Sequence, residues 1–462
     1  MEPPPSHSQP GPPAFRHDFV WGAASSAYQI EGAFDADGKG PSIWDTFCRV
    51  PGAIRLGDTG DVTCDHYHRF REDIGLMKAI GLKAYRFSIS WTRVLPNGAS
   101  VPNSAGMDFY DALVDELLAA GIDPWVTLFH WDYPQALQDR GGWLNRSSAD
   151  WFADYVRQIV DRLSDRVTHW MPINEMQVMA RMGHQDGVHA PGLRLPMDQL
   201  LRVIHHLLLA HGKAVQTIRA CGRQPATVGL AQVGVGFYPE TESAADIEAA
   251  RRATLSVTER NPWNNTWWAD AALLGRYPED GLALFGPDAP EAGEDDMRTI
   301  RQPLDFFGLN IYEGRRVRAG SDGEPVLVPH PPGYRHTHCE WNVTPEVLHW
   351  CPRFLFERYG VPIVITENGM SGTDWVALDG RVHDPQRIDY LHRYLVALRE
   401  AASRGVEVRG YFAWSLLDNL EWADGFKHRF GLVHVDYATG QRTPKDSSGW
   451  YREVIRSNGR DL

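Results

Sequence analysis

Short runs of apolar, β-branched and aromatic residues recur along the chain, and each run gives way to a group of polar residues. Runs of this length are typical of strands that are buried on both faces, and they are too short for independent helices. Such runs predict strands over residues 19–25, 84–91, 124–130, 169–174, 227–233, 306–312, 362–366 and 409–415. The pattern therefore predicts a sheet of eight buried strands.

The segments between these runs have the spacing of amphipathic helices. In residues 67–80, Phe70, Ile74 and Met77 fall on one face, and residues 108–120 show the same period. Strands that alternate with helices predict a parallel sheet. Eight repeats close naturally into a (β/α)8 TIM barrel, whereas an open doubly wound sheet more often has a glycine-rich phosphate turn after its first strand. The first strand here leads into Ala-Ser-Ser-Ala-Tyr-Gln, so we expect the α/β barrel.

The barrel is expected to form one domain over residues 15–462, because no linker rich in Pro, Gly and Ser interrupts the chain after that start. Residues 1–14 are rich in proline and serine, and we predict a disordered tail there. Residues 31–65, 234–262 and 313–345 form long insertions after predicted strands. Barrel enzymes build specificity on that side, so we expect these insertions to wall a pocket.

Composition and charge exclude some partners. A formal net charge of −13 and the lack of a Lys/Arg cluster argue against nucleic acid. No apolar run reaches the roughly 18 residues that a membrane span needs. The five scattered cysteines and a start without a signal-peptide pattern indicate a reduced, cytoplasmic protein. The 17 tryptophans favour a carbohydrate ligand, since sugar rings stack on flat aromatics. The sequence does not indicate an oligomeric state.

Two glutamates, Glu175 and Glu367, stand at the ends of the fourth and seventh predicted strands. A carboxylate at the end of a buried strand is costly unless it has a function. In retaining glycoside hydrolysis one carboxylate attacks the anomeric carbon, while a second protonates the leaving oxygen and then deprotonates water. Strands four and seven face each other across a barrel of eight, so the pair predicts cleavage of a glycosidic bond.

Neighbouring residues suggest a different role for each glutamate. Arg86 on the second strand and Tyr312 at the end of the sixth are expected to stabilise ionised Glu367. The charge on Glu367 would then raise the pKa of Glu175 by repulsion, which makes Glu175 the proton donor. That repulsion disappears once the nucleophile is glycosylated, so Glu175 can next act as the base.

Three long motifs carry a family resemblance: Phe-Val-Trp-Gly-Ala-Ala-Ser-Ser-Ala-Tyr-Gln-Ile-Glu-Gly, Ile-Thr-Glu-Asn-Gly, and Trp-Ser-Leu-Leu-Asp-Asn-Leu-Glu-Trp-Ala-Asp-Gly-Phe with the following Arg-Phe-Gly-Leu-Val and Arg-Thr-Pro-Lys-Asp-Ser. With these motifs the chain resembles glycoside hydrolase family 1, the β-glucosidase family, from Phe15 to about Ile455. The resemblance implies a retaining β-glycosidase in which Glu367 is the nucleophile and Glu175 is the acid/base residue.

The same resemblance implies a set of sugar-binding residues. Asn174 would bind the 2-hydroxyl group, and Trp414 would be the platform on which the sugar ring stacks. The positions that match residues for the remaining hydroxyl groups are Gln29, His130, Trp414, Glu421 and Trp422, with Asn310 and Tyr312 near the nucleophile and Trp341 on the aglycone side.

Two sites refine the expected substrate. Met176 follows the acid/base residue where the family usually has proline, so we expect a reshaped loop with Met176 facing the aglycone. Glu421 and Asp424 stand where members that act on 6-phosphorylated sugars carry Ser and Lys, and two acids would repel a phosphate. Glu175, in place of the glutamine of myrosinases, predicts an ordinary O-glycosidase that needs a proton donor.

The predicted function is hydrolysis of terminal β-D-glucosyl residues, with galactosides and fucosides as further substrates, in small β-glycosides and short oligosaccharides such as cellobiose. Three alternatives stay open: transfer of the sugar to an alcohol, a sugar-binding protein on an inactive barrel, and an unrelated barrel enzyme such as an aldolase. The complete glutamate pair argues against the second. The third would require a Schiff-base lysine or a phosphate loop, and neither stands out.

The sequence predicts no cofactor and no metal ion. His336, His338 and Cys339 have metal-ligand character, but their segment offers no fourth ligand. The segment Gly234-Val235-Gly236 lacks the third glycine of a nucleotide-binding loop.

Overall fold

The computed structural model describes residues 15–99 and 101–462 of the chain. The predicted disordered tail at residues 1–14 lies outside the described residues. In the described part, no helix is both long enough and apolar enough to cross a membrane. Cys48, Cys64, Cys221, Cys339 and Cys351 are free cysteines.

Each of the eight predicted apolar runs overlaps a strand of the central sheet, and three of the strands extend one or two residues beyond the predicted bounds. These strands are β1 (Val20–Ala24), β2 (Ala84–Ser88), β3 (Asp123–Phe129), β4 (His169–Ile173), β5 (Thr227–Val228 and Gln232–Val233), β6 (Phe307–Asn310), β7 (Ile363–Asn368) and β8 (Val408–Trp414).

The sheet is parallel and closes on itself. Strand β1 pairs with both β2 and β8, and the pairing continues through β3 and β4 on one side and through β7 and β6 on the other. The two halves of β5 close the ring, because the first half pairs with β4 and the second with β6. Single bridges from Asn174 to Ala231 and from Gly229 to Phe306 complete the contact. The predicted (β/α)8 barrel is confirmed.

One principal helix follows each strand of the barrel along the chain. These helices are α1 (His66–Ile80), α2 (Ser104–Ala119), α3 (Ser148–Leu163), α4 (Met197–Cys221), α5 (Glu294–Ile300), α6 (Val347–Tyr359), α7 (Pro385–Ser403) and α8 (Asp446–Ser457). The first begins one residue before the predicted start at 67. The second begins four residues before the predicted start at 108, and its first turn adds the buried Met107 to the apolar face.

Shorter helices and strands lie within the loops. The short helices are Ala27–Ile30, Ile43–Phe47, Trp91–Val94, Gln135–Gln138, Met176–Val178, Ala244–Leu255, Thr266–Ala269 and Glu279–Phe285, and π-helical turns span Met179–Gln185 and Asp270–Leu274. A small sheet joins Gly236–Pro239, Gly314–Ala319 and Pro325–Leu327, and a hairpin pairs Val433–Val435 with Arg442–Pro444.

Apolar side chains fill the barrel and the space around it. Side chains of alternate strand residues point into the barrel, among them those of Trp125, Met171, Val364 and Phe412. A larger apolar cluster lies between the strands and the surrounding helices. The barrel interior is therefore packed, and barrel enzymes of this kind build their active sites at the carboxyl ends of the strands, where the loops begin.

Candidate active site

A cavity of about 570 Å³ lies at the carboxyl ends of the barrel strands. Glu175 follows β4, Glu367 lies on β7, and both line the cavity together with Asn310 at the end of β6. The two glutamates are 8% and 4% exposed. The structure therefore brings together the pair of carboxyl groups that the sequence singled out.

Glu367 is held by two strong donors. Arg86 Nη1, on β2, donates to Glu367 Oε1 at 2.5 Å, and the Tyr312 hydroxyl donates to Oε2 at 2.7 Å. Both contacts were predicted from the sequence. A guanidinium and a phenol that point at one carboxylate favour its ionised form. Glu367 is therefore placed and polarised as a nucleophile would need to be.

Glu175 occupies an unusual backbone position. Its φ of 41° lies in the left-handed region, and its backbone N–H donates to the carbonyl of Ala231 on β5 at 2.8 Å. This turn ends β4 abruptly and directs the side chain into the cavity. The Asn310 amide donates to Glu175 Oε1 at 2.9 Å. No cation forms an ion pair with Glu175 among the described residues, in contrast to Glu367.

A chain of hydrogen bonds joins the two glutamates. Asn310 Nδ2 lies 2.9 Å from both Glu175 Oε1 and Asn174 Oδ1. Arg86 Nη2 donates to the same Asn174 oxygen at 2.6 Å, while its Nη1 reaches Glu367. The positions of both carboxyl groups are thus coupled through three buried side chains, which limits their independent movement.

Burial raises the pKa of both carboxyl groups, but the other causes differ. At Glu175 the charge of Glu367 adds to burial, and the pKa lies well above its ordinary value. At Glu367 the charge and hydrogen bond of Arg86 and the hydrogen bond of Tyr312 oppose burial. The surroundings of Glu367 thus favour its ionised form, whereas those of Glu175 favour the protonated form.

Aromatic rings form one wall of the cavity. The His130 ring lies roughly parallel to the rings of Trp414 and Trp422, with centroids 6.0 and 5.8 Å away. Trp422 packs in turn against Trp131 at 4.5 Å. Trp341 lies beside Tyr312, with ring centroids 5.1 Å apart, and lines the outer part of the cavity.

Two buried polar atoms on this wall have no hydrogen-bond partner among the described residues. Asn174 Nδ2 donates to His130 Nε2 at 3.1 Å, so the proton of the neutral ring lies on His130 Nδ1, which is unpaired. Burial lowers the pKa of His130 well below its ordinary value and keeps the ring neutral. Glu421 Oε2 is also unpaired, and burial raises the pKa of that carboxyl group to about 8. These atoms are suited to the hydroxyl groups of a ligand.

Gln29 and Asn174 lie behind the cavity wall and do not line it. The Gln29 amide donates to Asn419 Oδ1 at 3.0 Å and to the Leu420 carbonyl at 2.7 Å, and its oxygen accepts from Ser26 at 2.6 Å. The Gln29 side chain thus holds the start of the segment that carries Glu421. Its direct contact with a sugar stays a prediction.

Two expectations about the loops are wrong. Met176 is 4% exposed and packs in the core, so it does not face the aglycone; Val178 and Met182 line the cavity instead. The described residues of insertion 31–65 do not line the cavity either. Trp44 from this insertion packs behind Trp422, with centroids 4.6 Å apart, so the insertion supports the wall from outside.

The cavity also contains two histidines whose contact no sequence pattern predicts. His338 Nδ1 lies 3.1 Å from His428 Nδ1, and both rings line the outer cavity with Cys339. These residues come from two different loops, and no local spacing reveals the pairing. The structure shows no cluster of three or more metal-ligating side chains in the described ranges.

The closed (β/α)8 barrel and the two facing buried glutamates define a glycoside hydrolase. Comparison with known proteins identifies the family: the profile of glycosyl hydrolase family 1 matches residues 12–460, and the chain belongs to this family. The family predicted from the sequence motifs is therefore confirmed.

Relatives cover almost the whole chain. β-Glucosidase A of Acetivibrio thermocellus is 45% identical over 451 residues, which cover 96% of this chain and 99% of that protein. β-Glucosidase A of Thermotoga maritima is 44% identical over 447 residues, which cover 96% and 98%. The structure of the family 1 β-glucosidase from Thermotoga maritima has a TM-score of 0.88 at 44% identity and covers 96% of this chain and 99% of that one.

Proposed function

We propose that this protein is a retaining β-glucosidase that removes terminal, non-reducing β-D-glucosyl residues from small glycosides and short oligosaccharides. The observation that carries the proposal is the unequal setting of the two glutamates. Glu367 is bound by Arg86 and Tyr312, while Glu175 is bound by the neutral Asn310 amide. One carboxyl group is thus prepared as an anion and the other as an acid, as double displacement requires.

In the first step Glu367 attacks the anomeric carbon while Glu175 donates its proton to the glycosidic oxygen. The bond from carbon to the aglycone breaks, and a bond from carbon to Glu367 forms. Arg86 is left with a neutral ester beside it, and the repulsion that raised the pKa of Glu175 disappears. The pKa of Glu175 then falls, so in the second step Glu175 accepts a proton from water while the water oxygen bonds to the anomeric carbon and the ester bond to Glu367 breaks.

The polar atoms of the inner cavity support glucose as the sugar. His130 Nδ1 is a donor without a partner, and Glu421 carries a carboxyl oxygen without a partner. A site with such atoms discriminates against sugars that lack the matching hydroxyl groups, because those atoms would stay unpaired. Trp414 and Trp422 offer flat faces for the apolar side of a sugar ring. Relatives named 1,4-β-D-glucan glucohydrolase and a Thermotoga maritima β-glucosidase in complex with glucoimidazole support this choice.

The outer cavity supports a second sugar or an aryl group as the aglycone. Trp341, Trp263 and Met182 line it, and the indole and thioether surfaces accept rings of different shapes. The proposal therefore includes cellobiose as a substrate, β-D-galactosides and β-D-fucosides as further glycones, and transfer to an alcohol acceptor at high concentration. Five free cysteines fit the reducing interior of a cell, which supports a cytoplasmic site of action.

The proposal is tested by release of p-nitrophenol from β-D-glucoside, β-D-galactoside, β-D-fucoside and 6-phospho-β-D-glucoside substrates. Wild type and Glu367→Gln are assayed in parallel. We expect turnover of the unphosphorylated substrates that falls by many orders of magnitude in the variant, because the covalent step is lost. No turnover by the wild type of any of these substrates would support a sugar-binding protein and overturn the proposal. Analysis of products at high substrate concentration separates hydrolysis from transfer.

A further inference from the structure

Six charged side chains form a cluster behind the cavity wall, four of them fully buried and Asp374 and Arg429 partly exposed. This six-charge cluster consists of three acids and three bases, Asp374, Asp384, Asp418, Arg387, Arg429 and Lys445. Lys445 and Asp418 are completely buried, and Lys445 Nζ lies 2.6 Å from both Asp418 Oδ1 and Asp374 Oδ2. None of the six lines the cavity, so the cluster does not belong to the site described above.

Asp418 closes a loop that carries part of the cavity wall. Its Oδ1 accepts from the backbone N–H of Gly431 at 2.9 Å, and its Oδ2 accepts from Arg429 Nη1 at 2.8 Å. Its own N–H donates to the Val433 carbonyl at 2.9 Å. The first and last residues of segment 418–431 are therefore joined through one carboxylate.

Gly431 shows how closely the chain ends approach. A Cβ atom at this position would lie 2.1 Å from the backbone nitrogen of Asp418, so the contact excludes any side chain. The closed segment presents Glu421, Trp422 and Phe430 to the cavity. A shift of Asp418 would therefore move the residues that we propose to bind the sugar.

Arg387 connects the same segment to the loop after β7. Its Nη2 donates to Asp374 Oδ2 and to the Arg429 carbonyl, both at 2.7 Å. Backbone hydrogen bonds between Gly372 and Arg429 run beside these contacts. Ser371, the residue before Gly372, accepts a hydrogen bond from the backbone N–H of Cys339. This contact connects the cluster to the loop that carries Trp341. The cluster thus joins three loops around the cavity.

Burial of these charges needs an explanation beyond stability. The desolvation of buried ions usually cancels most of their attraction, so apolar residues of similar size would stabilise a fold equally well. Charged side chains, unlike apolar ones, fix the position of the groups that they bind, because charge-assisted hydrogen bonds hold their partners at a defined distance and angle. Here the partners are backbone groups of the loops that form the sugar site.

We infer that the six-charge cluster, with Asp418 at its centre, positions Glu421 and Trp422 and thereby sets the affinity of the site for the glycone. This inference rests on the proposed function. Asp418 and Lys445 act through the segment and do not touch the substrate. Loss of one partner in the cluster should then weaken binding of the sugar more than it slows the chemical step.

The test is a double-mutant cycle with Asp418→Asn and Glu421→Gln, assayed with p-nitrophenyl β-D-glucoside. We expect Asp418→Asn to lower kcat/KM by roughly ten- to a hundredfold, mostly through KM. In the Glu421→Gln background the same change should have a much smaller effect, because coupled residues are not additive. Effects that multiply independently would overturn the inference.

Two further variants keep the test decisive. Arg429→Met removes one hydrogen bond of Asp418 but leaves Lys445 in place, and it should raise KM by a smaller factor even if Asp418→Asn fails to fold. Asp270→Asn is the matched control, since Asp270 is a buried carboxylate that lies outside these loops and accepts from Arg358 and Tyr359 of α6. It should lower the melting temperature with KM unchanged. A wild-type KM in Arg429→Met would contradict the inference, whereas inactivity of the wild-type enzyme would contradict the proposed function.

Discussion

Arg86 Nη1 lies 2.5 Å from Glu367 Oε1, and both side chains are almost completely buried at the carboxyl end of the barrel. The charge of Arg86 lowers the pKa of Glu367 against the effect of burial. In the proposed mechanism this ion pair determines which carboxyl group is the nucleophile, and it connects strands that are far apart in the sequence.

Replacement of Arg86 by methionine should therefore slow the enzyme and change its pH dependence. Without the cation the pKa of Glu367 rises, and because the nucleophile must be ionised, the acidic limb of the kcat/KM profile should move to higher pH. We expect a loss of roughly a hundredfold or more in kcat/KM. Arg86→Lys serves as the control, since it keeps the charge but not the paired hydrogen bonds. An unchanged acidic limb in Arg86→Met would contradict this assignment.

Glu175→Gln should separate substrates by their leaving groups. Aglycones that leave poorly need the proton of Glu175, so their kcat/KM should fall by roughly 10²–10⁴. Aryl glucosides with acidic phenols should lose much less, because their phenolates leave without a proton. The basic limb of the kcat/KM profile should disappear, since it reports the loss of the Glu175 proton as pH rises.

Steady-state kinetics of Glu175→Gln with alkyl and aryl glucosides measure both effects. An equal loss for all leaving groups would show that Glu175 does not donate the proton. The matched control is Gln177→Glu, two residues further along the chain; Gln177 does not line the cavity, and its amide donates to the carbonyl of Val233. When Gln177→Glu is combined with Glu175→Gln, the basic limb of the kcat/KM profile should remain absent.

The titration of Glu421 should make the free energy of unfolding depend on pH. Burial raises its pKa to about 8 in the folded protein, whereas an unfolded glutamate titrates near its ordinary value of about 4.3. Between these values the folded state holds a proton that the unfolded state releases, so this group lowers stability as pH rises from about 4.3 to 8.

Glu421→Gln removes that titration. The variant should therefore melt at a higher temperature than wild type at pH 8, by roughly 2–5 °C, with a smaller difference at pH 5. Thermal unfolding at both values measures the change. If Glu421→Gln melted at the wild-type temperature at both pH values, this result would contradict the raised pKa of Glu421. The same variant should bind glucosides less well, which would be a trade-off between stability and function.

Trp341→Ala should distinguish large aglycones from small ones. The indole lines the outer cavity beside Tyr312, where a second sugar would stack. We expect kcat/KM for cellobiose to fall roughly tenfold, while methyl β-D-glucoside, whose aglycone is too small to reach the ring, changes little. A similar loss for both substrates would indicate that Trp341 acts by holding Tyr312 and not by binding the aglycone.

The barrel and the glutamate pair could be predicted because both have a local signal. The runs over residues 169–174 and 362–366 lead directly into Glu175 and Glu367, and a buried parallel strand leaves few alternatives for its hydrophobic pattern. The contacts of Arg86 and Tyr312 with Glu367 followed from the strands on which they lie. β2 and β7 are separated by β1 and β8, so the contact of Arg86 with Glu367 crosses the mouth of the barrel, where all the carboxyl ends of the strands meet.

Loop geometry could not be predicted in the same way. The inward packing of Met176 depends on the left-handed turn at Glu175, which the sequence does not reveal. The contact of His338 with His428, and the cluster around Lys445, join residues from separate loops whose paths have no periodic pattern. Such contacts depend on tertiary packing, which overrides local preference.

The central claim is that Glu367 forms a covalent bond with the sugar. The most direct measurement is mass spectrometry of the protein after reaction with 2,4-dinitrophenyl 2-deoxy-2-fluoro-β-D-glucoside. Fluorine slows both steps by destabilising the oxocarbenium-like transition state, while the activated phenol keeps the first step fast enough for the intermediate to accumulate. We predict one fluoroglucosyl group per chain, located by peptide analysis on Glu367. A label on Glu175 or another residue, or turnover of glucosides by an enzyme that this reagent never labels, would contradict the account.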